Sequence, residues 1–171
     1  APPAPPPRAP APAVPAAPSV PLPRPPAAPA QAPGPVVPPA DHFGLALYYQ
    51  RVGDFDNALT QYRVLLGENE SSAEVHNNVG LVYRELGRPD EAIKEFQRSI
   101  EIDPKYVRAH NNLGVTLMGM AGSSRLDAAA AEFRVALAAD PRNVESMVNL
   151  ALVQKAAGRG ADARDLLLRA V

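Results

Sequence analysis

The chain has 171 residues with 17 basic and 18 acidic side chains, so its formal net charge is −1, and it contains no cysteine. This balance argues against nucleic acid as a partner, because phosphate binding draws on a surplus of Lys and Arg. The lack of cysteine excludes disulfides, thiolate zinc sites and cysteine nucleophiles. No apolar run approaches the ~20 residues of a membrane-spanning helix, so we expect no direct membrane insertion by this chain.

Residues 1–39 differ in composition from the rest, since they hold 18 of the 21 prolines and are otherwise mostly alanine. Proline lacks a backbone N–H and fixes φ, which excludes helices and central strands. We therefore predict an extended, polyproline-II-like arm or linker. PAPPPR at 3–8 fits the PxxPxR pattern of a ligand for an SH3-like groove. Such matches arise readily in a segment this rich in proline, and a semi-rigid tether is the simpler interpretation.

From about Asp41 onward, apolar residues recur at helical spacing, with Gly or Asp-Pro between the runs. A period of 34 residues runs through this part of the chain. It relates the following residues: His42, His76 and His110; Gly53 and Gly87; Ala58 and Ala92; Tyr49 and Tyr83; Tyr62 and Phe96. Each unit is predicted to be a helix, a short glycine-containing turn and a second helix. In the second unit the two helices are expected over about 73–86 and 89–102.

The second unit carries a pattern of small and aromatic residues at fixed places: Gly80, Tyr83, Gly87, Ala92, Phe96 and Pro104, with Ser99 at one further place. In this pattern the chain resembles the tetratricopeptide repeat (TPR) family, which has alanine where Ser99 stands. The resemblance implies an all-α fold, a right-handed superhelix of antiparallel helix pairs. It places a domain at 40–171, with repeats at about 39–72, 73–106, 107–143 and 144–171. The third repeat has a longer turn, MAGSSR, near 120–125.

The segments VHNNVG and AHNNLG at 75–80 and 109–114 look like a repeated active-site signature. A shared metal site is excluded by geometry, because stacked helix layers lie about 8–10 Å apart and metal ligands must converge on one ion. A catalytic site would need a nucleophile or a carboxylate in a pocket beside the histidine, and the sequence singles out none. We therefore expect the histidines to pack, and we predict a protein that is not an enzyme and has no cofactor or metal.

By the family's geometry, the first helix of each repeat lines a concave groove. Asn78, Asn112 and Asn149 share one repeat position, at which some family members use asparagines to hold the backbone of a bound peptide. An amide suits this task because it both donates and accepts hydrogen bonds. The alternative is that these amides only bond neighbouring helices.

Aliphatic and basic side chains are expected on the same face as the asparagines, although the aliphatic ones could instead pack between helices. Phe43 and Leu47 stand where the family's carboxylate clamp needs a basic residue and an asparagine, so we do not expect that clamp. The predicted partner or peptide groove comprises Asn77, Asn78, Leu81, Arg84, Arg108, Asn111, Asn112, Val115, Asn149, Leu152 and Lys155.

The last predicted helix ends DLLLRAV, and its apolar residues cannot all face the helix before it. Solenoids normally end in a polar cap, and uncovered apolar residues mark contact sites. We predict a C-terminal contact edge for another subunit or a further segment, formed by Leu166, Leu167, Leu168 and Val171.

Taken together, these features predict a non-catalytic adaptor or scaffold that binds a protein or peptide partner, with a composition typical of a bacterial assembly component. Three alternatives stay open: the recognition arm of a larger enzyme such as a glycosyltransferase, a structural subunit whose arm threads along neighbours, and an arm that folds into its own groove. The chain does not begin with Met and shows no signal peptide, so we expect a processed or partial chain. Its tether favours the cell envelope or periplasm over the cytoplasm.

Overall fold

The computed structural model describes residues 41–120 and 122–170, and these residues form eight helices. Chain contacts divide the protein into Ala1–Val36 and Val37–Val171, and all the described residues belong to the second unit. The predicted arm therefore lies outside them. The helices are α1 (His42–Val52), α2 (Phe55–Glu68), α3 (Ala73–Glu85), α4 (Pro89–Ile102), α5 (Val107–Met118), α6 (Ser123–Ala139), α7 (Val144–Ala156) and α8 (Gly160–Arg169).

The helices pack as four pairs, α1 with α2, α3 with α4, α5 with α6, and α7 with α8. Short connections make the two helices of each pair antiparallel. Each second helix also packs against the first helix of the next pair, which turns the pairs into a continuous stack. The structure confirms the predicted all-α fold of stacked helix pairs.

Glycines end the first helices of three pairs, where Gly53, Gly87 and Gly158 have φ of 81°, 69° and 77°. Only glycine enters this left-handed region without steric cost, so it suits the residue after a helix. Pro89 then begins α4 at a place where a missing N–H costs nothing. The third pair differs because its longer turn passes through Gly122 at φ 125° before α6 begins.

Close approach within each pair depends on matched side-chain sizes. A Cβ added to Gly80 would lie 2.6 Å from the ring of Phe96, and one added to Gly114 would lie 2.6 Å from the ring of Phe133. In the fourth pair the small residue is Ala151, and the residue at the place of the aromatic rings is Leu167. In the first pair, Ala46 stands at the place of Gly80 and is buried in one cluster with Tyr62. The residue that fits therefore depends on the local spacing of the two helices as well as on the size of the second-helix side chain.

The core is formed where one pair stacks on the next. Val75, Val79 and Val82 of α3 are buried in one cluster with Leu59 and Tyr62 of α2. On the other side of the stack, α3 contacts α5 and α5 contacts α7, so the first helices lie side by side. They form the inner wall of the curve that the family geometry predicts. Among the described residues, no helix is both long and apolar enough to cross a membrane.

Candidate functional site: a groove along the first helices

A row of side-chain amides crosses the first helices. The Asn112 amide nitrogen donates to Asn77 Oδ1 at 2.8 Å, and the Asn149 amide nitrogen donates to Asn111 Oδ1 at 3.1 Å. Each contact joins one repeat to the next. The Asn77 amide also donates to Asn78 Oδ1 at 3.2 Å, so the row begins in the second repeat.

The five asparagines divide into two layers. Asn77 and Asn111 are buried, with 2% and 3% of their surface exposed, while Asn78, Asn112 and Asn149 are half-buried. The two buried amides lie beneath the groove surface, where they accept hydrogen bonds from the next repeat. Only the three half-buried amides reach the wall of the groove, where a ligand could contact them.

Asn78 also lies near the aromatic residue of the first pair. Burial raises the pKa of Tyr62 to about 12, and the nearby Asn78 amide acts in the opposite direction. The Tyr62 hydroxyl donates to Gln50 Oε1 at 3.0 Å. Because Tyr62 stays neutral at any physiological pH, these polar contacts at the first end of the groove do not change with pH.

Aliphatic side chains accompany the amides, one from each first helix at the same repeat position. Leu47 and Leu152 are 39% and 50% exposed, and Leu81 and Val115 are half-buried. Leu47 and Leu152 therefore leave apolar surface uncovered on the first helices.

Basic side chains lie beside this row but differ in their surroundings. Arg84 donates to Asn112 Oδ1 at 3.4 Å, which ties it to the amides. Arg108 is exposed at the start of α5, where it and Glu74 act in opposite directions on the pKa of Tyr106, which burial raises. Lys155 is exposed on α7. The predicted groove residues therefore share one series of helices but do not form a single compact site.

Two cavities open between successive repeats at this wall. The first has a volume of about 520 Å³ and is lined in part by Leu47, Phe55, Asn78 and Leu81. The second has a volume of about 340 Å³ and is lined in part by Arg84, Pro89, Val115 and Met120. Both fall within or near the volumes of small-ligand pockets, whereas Arg108 and Leu152 line neither of them.

The histidines have partners that sequence reasoning missed. Each uses Nδ1 to contact the second helix of its own pair: His42 with Gln61 at 2.8 Å, His76 with Glu95 at 2.8 Å and His110 with Glu132 at 2.7 Å. These partners lie 19, 19 and 22 residues along the chain, so a recurring polar residue at that offset was the available signal. The histidines therefore join the two helices of a pair by hydrogen bonds and not by packing alone.

The fourth pair replaces this polar contact with an apolar one. Met147 stands where the other repeats have histidine, and Leu166, 19 residues later, stands where they have Gln or Glu. Met147 is buried, and Leu166 packs against the cluster that contains Phe133 and Val153. Both members of the pair have changed character together. Within the described residues, no group of His, Asp and Glu side chains is arranged to hold a metal ion.

The residues of the predicted C-terminal edge have different surroundings. Leu166 faces the core, whereas Leu167 and Leu168 are 46% and 67% exposed. With Lys155 and Arg164 they line a mainly apolar cavity of about 450 Å³. Val171 lies outside the described residues. The other repeats have polar side chains at the place of Leu168, namely Arg63, Gln97 and Arg134.

Stacked helix pairs that repeat one pattern of small, aromatic and capping residues define a helical-repeat protein, whose elements bury their apolar faces against their neighbours. The chain belongs to the tetratricopeptide repeat family. A model described as TPR repeat matches residues 80–120, and one described as tetratricopeptide repeat matches residues 121–171. Together the two matches cover more than half of the chain. No significant match was found among curated proteins.

Solved structures with the same fold include MamA, with 19% identity and a TM-score of 0.68 over 75% of this chain and 74% of that chain. PilF of Pseudomonas aeruginosa has 24% identity and a TM-score of 0.68 over 75% of this chain and 58% of that chain. YrrB, described as a TPR protein with an unusual peptide-binding site, has 21% identity and a TM-score of 0.61 over 75% and 65%. At these identities the likeness establishes the fold.

Proposed function

We propose that the chain is a non-catalytic adaptor that binds a segment of another protein along the groove formed by its first helices. The observation that carries this proposal is the alternation, on one wall, of half-buried amides with aliphatic side chains. Leu47 and Leu152 leave apolar surface uncovered. Asn78 lines the same cavity as Leu47, and Asn149 lies about one helical turn before Leu152. Amides pair with peptide groups, and uncovered aliphatic surface attracts apolar side chains.

Membership in the TPR family and the likeness to YrrB both support a protein or peptide as the ligand. The composition of the chain, as argued above, supports a bacterial assembly as its setting. The described residues carry few features that favour catalysis, since the histidines are engaged by hydrogen bonds between the helices of a pair. The proposal therefore rests on binding.

The asparagines are poor first targets for a test. Removing Asn112 leaves the buried Asn77 Oδ1 without its donor, and removing Asn149 leaves Asn111 Oδ1 with only the 3.4 Å contact from Ser146, so either change destabilises the stack. The exposed leucines avoid this problem. We expect the double variant Leu47→Glu/Leu152→Glu to keep the fold and to lose affinity by at least about tenfold, which corresponds to ~1.4 kcal/mol. Ligands are first selected from a displayed random-peptide library with the full-length chain, and affinities are then measured by fluorescence anisotropy.

The matched control places the same charges on second helices. Val64 of α2 and Val135 of α6 are 38% and 43% exposed, so Val64→Glu/Val135→Glu makes an equal change in charge and apolar surface away from the groove. We expect affinity within about twofold of wild type, because surface changes away from the binding site have small effects. Equal losses in both double variants would contradict binding in the groove.

A further inference from the structure

The two cavities along the groove are one feature repeated at successive junctions. Residues at five shared repeat positions line both: Gln50 and Arg84, Gly53 and Gly87, Phe55 and Pro89, Leu81 and Val115, and Glu85 and Gly119. The first cavity is the larger, at about 520 Å³ against about 340 Å³. A ligand lying along the groove therefore meets the same kind of recess at each of these two repeat junctions.

The spacing of these recesses restricts the ligand. Packed helices lie about 8–10 Å apart, so equivalent points on adjacent first helices are separated by about that distance. A polyproline-II segment has three residues per turn and rises about 3.1 Å per residue, so every third side chain falls on one face about 9 Å apart. A β-strand puts side chains on one face about 7 Å or about 14 Å apart, and neither spacing fits.

An α-helix with apolar residues at i and i+7 also gives a matching distance, of about 10.5 Å. Its backbone N–H and C=O groups are already bonded within the helix, so it offers nothing to the amide of Asn78, which lines the first cavity. A polyproline-II backbone has no internal hydrogen bonds, and its carbonyls and non-proline N–H groups remain available. The combination of recesses and amides therefore favours the extended ligand over the helical one.

We infer that the groove binds a polyproline-II segment of a separate protein, which carries a large apolar side chain at every third residue. This inference rests on the proposed function and specifies the class of partner. The bulkier side chain occupies the cavity beside Phe55 and Leu81, and the next one occupies the cavity beside Pro89 and Val115. At the first cavity, the ligand backbone passes the amide of Asn78.

The chain's own proline-rich sequence has the three-residue period of the proposed ligand but lacks its large apolar side chains. Residues 12–21, PAVPAAPSVP, repeat proline at every third place, with Val14, an alanine and Val20 at the same interval. Proline, alanine and valine are small for a cavity of about 520 Å³. Leu22, the one leucine of residues 1–39, has no valine or other large apolar residue three places away. A separate partner with leucine, isoleucine or phenylalanine at this interval fits the cavities better.

The test uses the full-length chain and labelled twelve-residue peptides of one composition, in which leucines occupy every third, every second or every fourth place of a proline- and serine-rich host. A helical peptide with leucines at i and i+7 completes the set. Anisotropy titrations should show the every-third peptide binding at least about tenfold more tightly than the others, a difference of ~1.4 kcal/mol. Equal affinity for all spacings, tighter binding of the helical peptide, or no binding at all would overturn the inference.

A filled-cavity variant tests the place of binding. A Cβ at Gly119 would lie 3.5 Å from the nearest atom, so Gly119→Phe is tolerated and blocks the second cavity. The control Gly67→Phe adds the same ring on α2, where a Cβ meets nothing within 4 Å. Gly119→Phe should abolish the preference for the every-third peptide, and Gly67→Phe should preserve it. Retention of the preference in Gly119→Phe would overturn the inference.

The source of the ligand is tested in the full chain with Val14→Asp/Val20→Asp. Unchanged affinity for the every-third peptide supports a separate partner. An increase of about tenfold or more would show that the chain's own residues compete for the groove, which overturns the assignment to a separate protein.

The inference and the proposed function can fail independently of each other. If library-selected ligands still lose affinity in Leu47→Glu/Leu152→Glu while spacing has no effect, the groove function stands and only the three-residue period is wrong.

Discussion

Both ring nitrogens of His110 face hydrogen-bond acceptors. Nδ1 lies 2.7 Å from Glu132 Oε2, and Nε2 lies 3.1 Å from the Pro104 carbonyl oxygen. A neutral imidazole has one N–H and can satisfy only one acceptor, whereas the imidazolium donates to both. The Glu132 contact is the main cause that raises the pKa of His110 above its ordinary value, with burial acting in the opposite direction and Pro104 adding to the rise.

This raised pKa predicts how stability depends on pH. A group that binds its proton more tightly in the folded state contributes stability that is fully present below its unfolded pKa, ordinarily ~6.5. That contribution is lost as the pH rises through the folded pKa. We expect the free energy of unfolding of wild type, relative to Glu132→Gln, to fall as the pH rises above ~6.5 and through the raised folded pKa of His110. Urea unfolding across this range measures it.

The fourth repeat supplies the control for this prediction. His110→Met/Glu132→Leu copies the Met147 and Leu166 pair into the third repeat. We expect the double variant to fold and to lack the His110 contribution to the pH dependence of stability. His110→Met alone leaves Glu132 without its partner, so we expect this single variant to be less stable than the double variant. If the free energy of unfolding depends on pH in the same way in wild type and in the double variant, this histidine has no role in the pH response.

Neighbouring asparagines show a limit of sequence reasoning at this scale. Asn77 and Asn78 are adjacent and identical, and the repeat pattern alone placed both in the groove. Their directions differ by about 100° around the helix axis, which buries one and leaves the other at the wall. The histidine partners were missed because a contact between two helices depends on how those helices pack, and the sequence reports only the spacing.

At the scale of elements, the approach of α3 to α4 depends on the absence of one methyl group. Gly80→Ala brings a Cβ to 2.6 Å from the Phe96 ring, so the helices must separate or the ring must shift. We expect a loss of about 1–3 kcal/mol in the free energy of unfolding, which exceeds the ~0.5–1 kcal/mol that alanine gains over glycine in a helix. Denaturant unfolding of the full chain measures the difference.

The partner substitution makes this prediction specific. Gly80→Ala/Phe96→Leu introduces the residue types that stand at these two places in the fourth pair, Ala151 and Leu167. We expect it to be more stable than Gly80→Ala alone, because the smaller leucine leaves room for the added methyl group. Gly67→Ala is the control for a glycine-to-alanine change in a helix. A Cβ there meets nothing within 4 Å, so this variant should not destabilise the chain. A double variant less stable than Gly80→Ala would refute the size match.

Helix ends were predictable because their causes are local. Gly87 and Pro89 predicted the turn of the second repeat, and the observed helices, Ala73–Glu85 and Pro89–Ile102, agree with the expected ones to within a residue.

Ser99, which stands where the family has alanine, could be explained only from the structure. Its hydroxyl donates to the Ala73 carbonyl oxygen at 2.7 Å, a contact 26 residues distant along the chain.

At the scale of the whole molecule, the exposed apolar residues of α8 lead us to propose a contact edge there. Leu168 is 67% exposed, so Leu168→Arg should change the free energy of unfolding by no more than about 0.5 kcal/mol and should weaken association of the full chain with itself, measured by sedimentation velocity. Leu166→Arg is the contrasting variant, because Leu166 packs into the core and a charge there should destabilise the fold. Sedimentation that is the same for wild type and Leu168→Arg would argue against this edge.

The amide contacts between repeats also constrain how such a chain can grow by duplication. Asn77 and Asn111 each accept a hydrogen bond from the repeat that follows, whereas the fourth repeat has Val148 at the same place. A tandem copy of the second or third repeat would bring both the acceptor asparagine and the donor asparagine, so the new junction would have its amide hydrogen bond. A copy placed after the fourth repeat would meet an aliphatic side chain in place of the acceptor. Viable insertions of whole repeats are therefore expected in the middle of the stack.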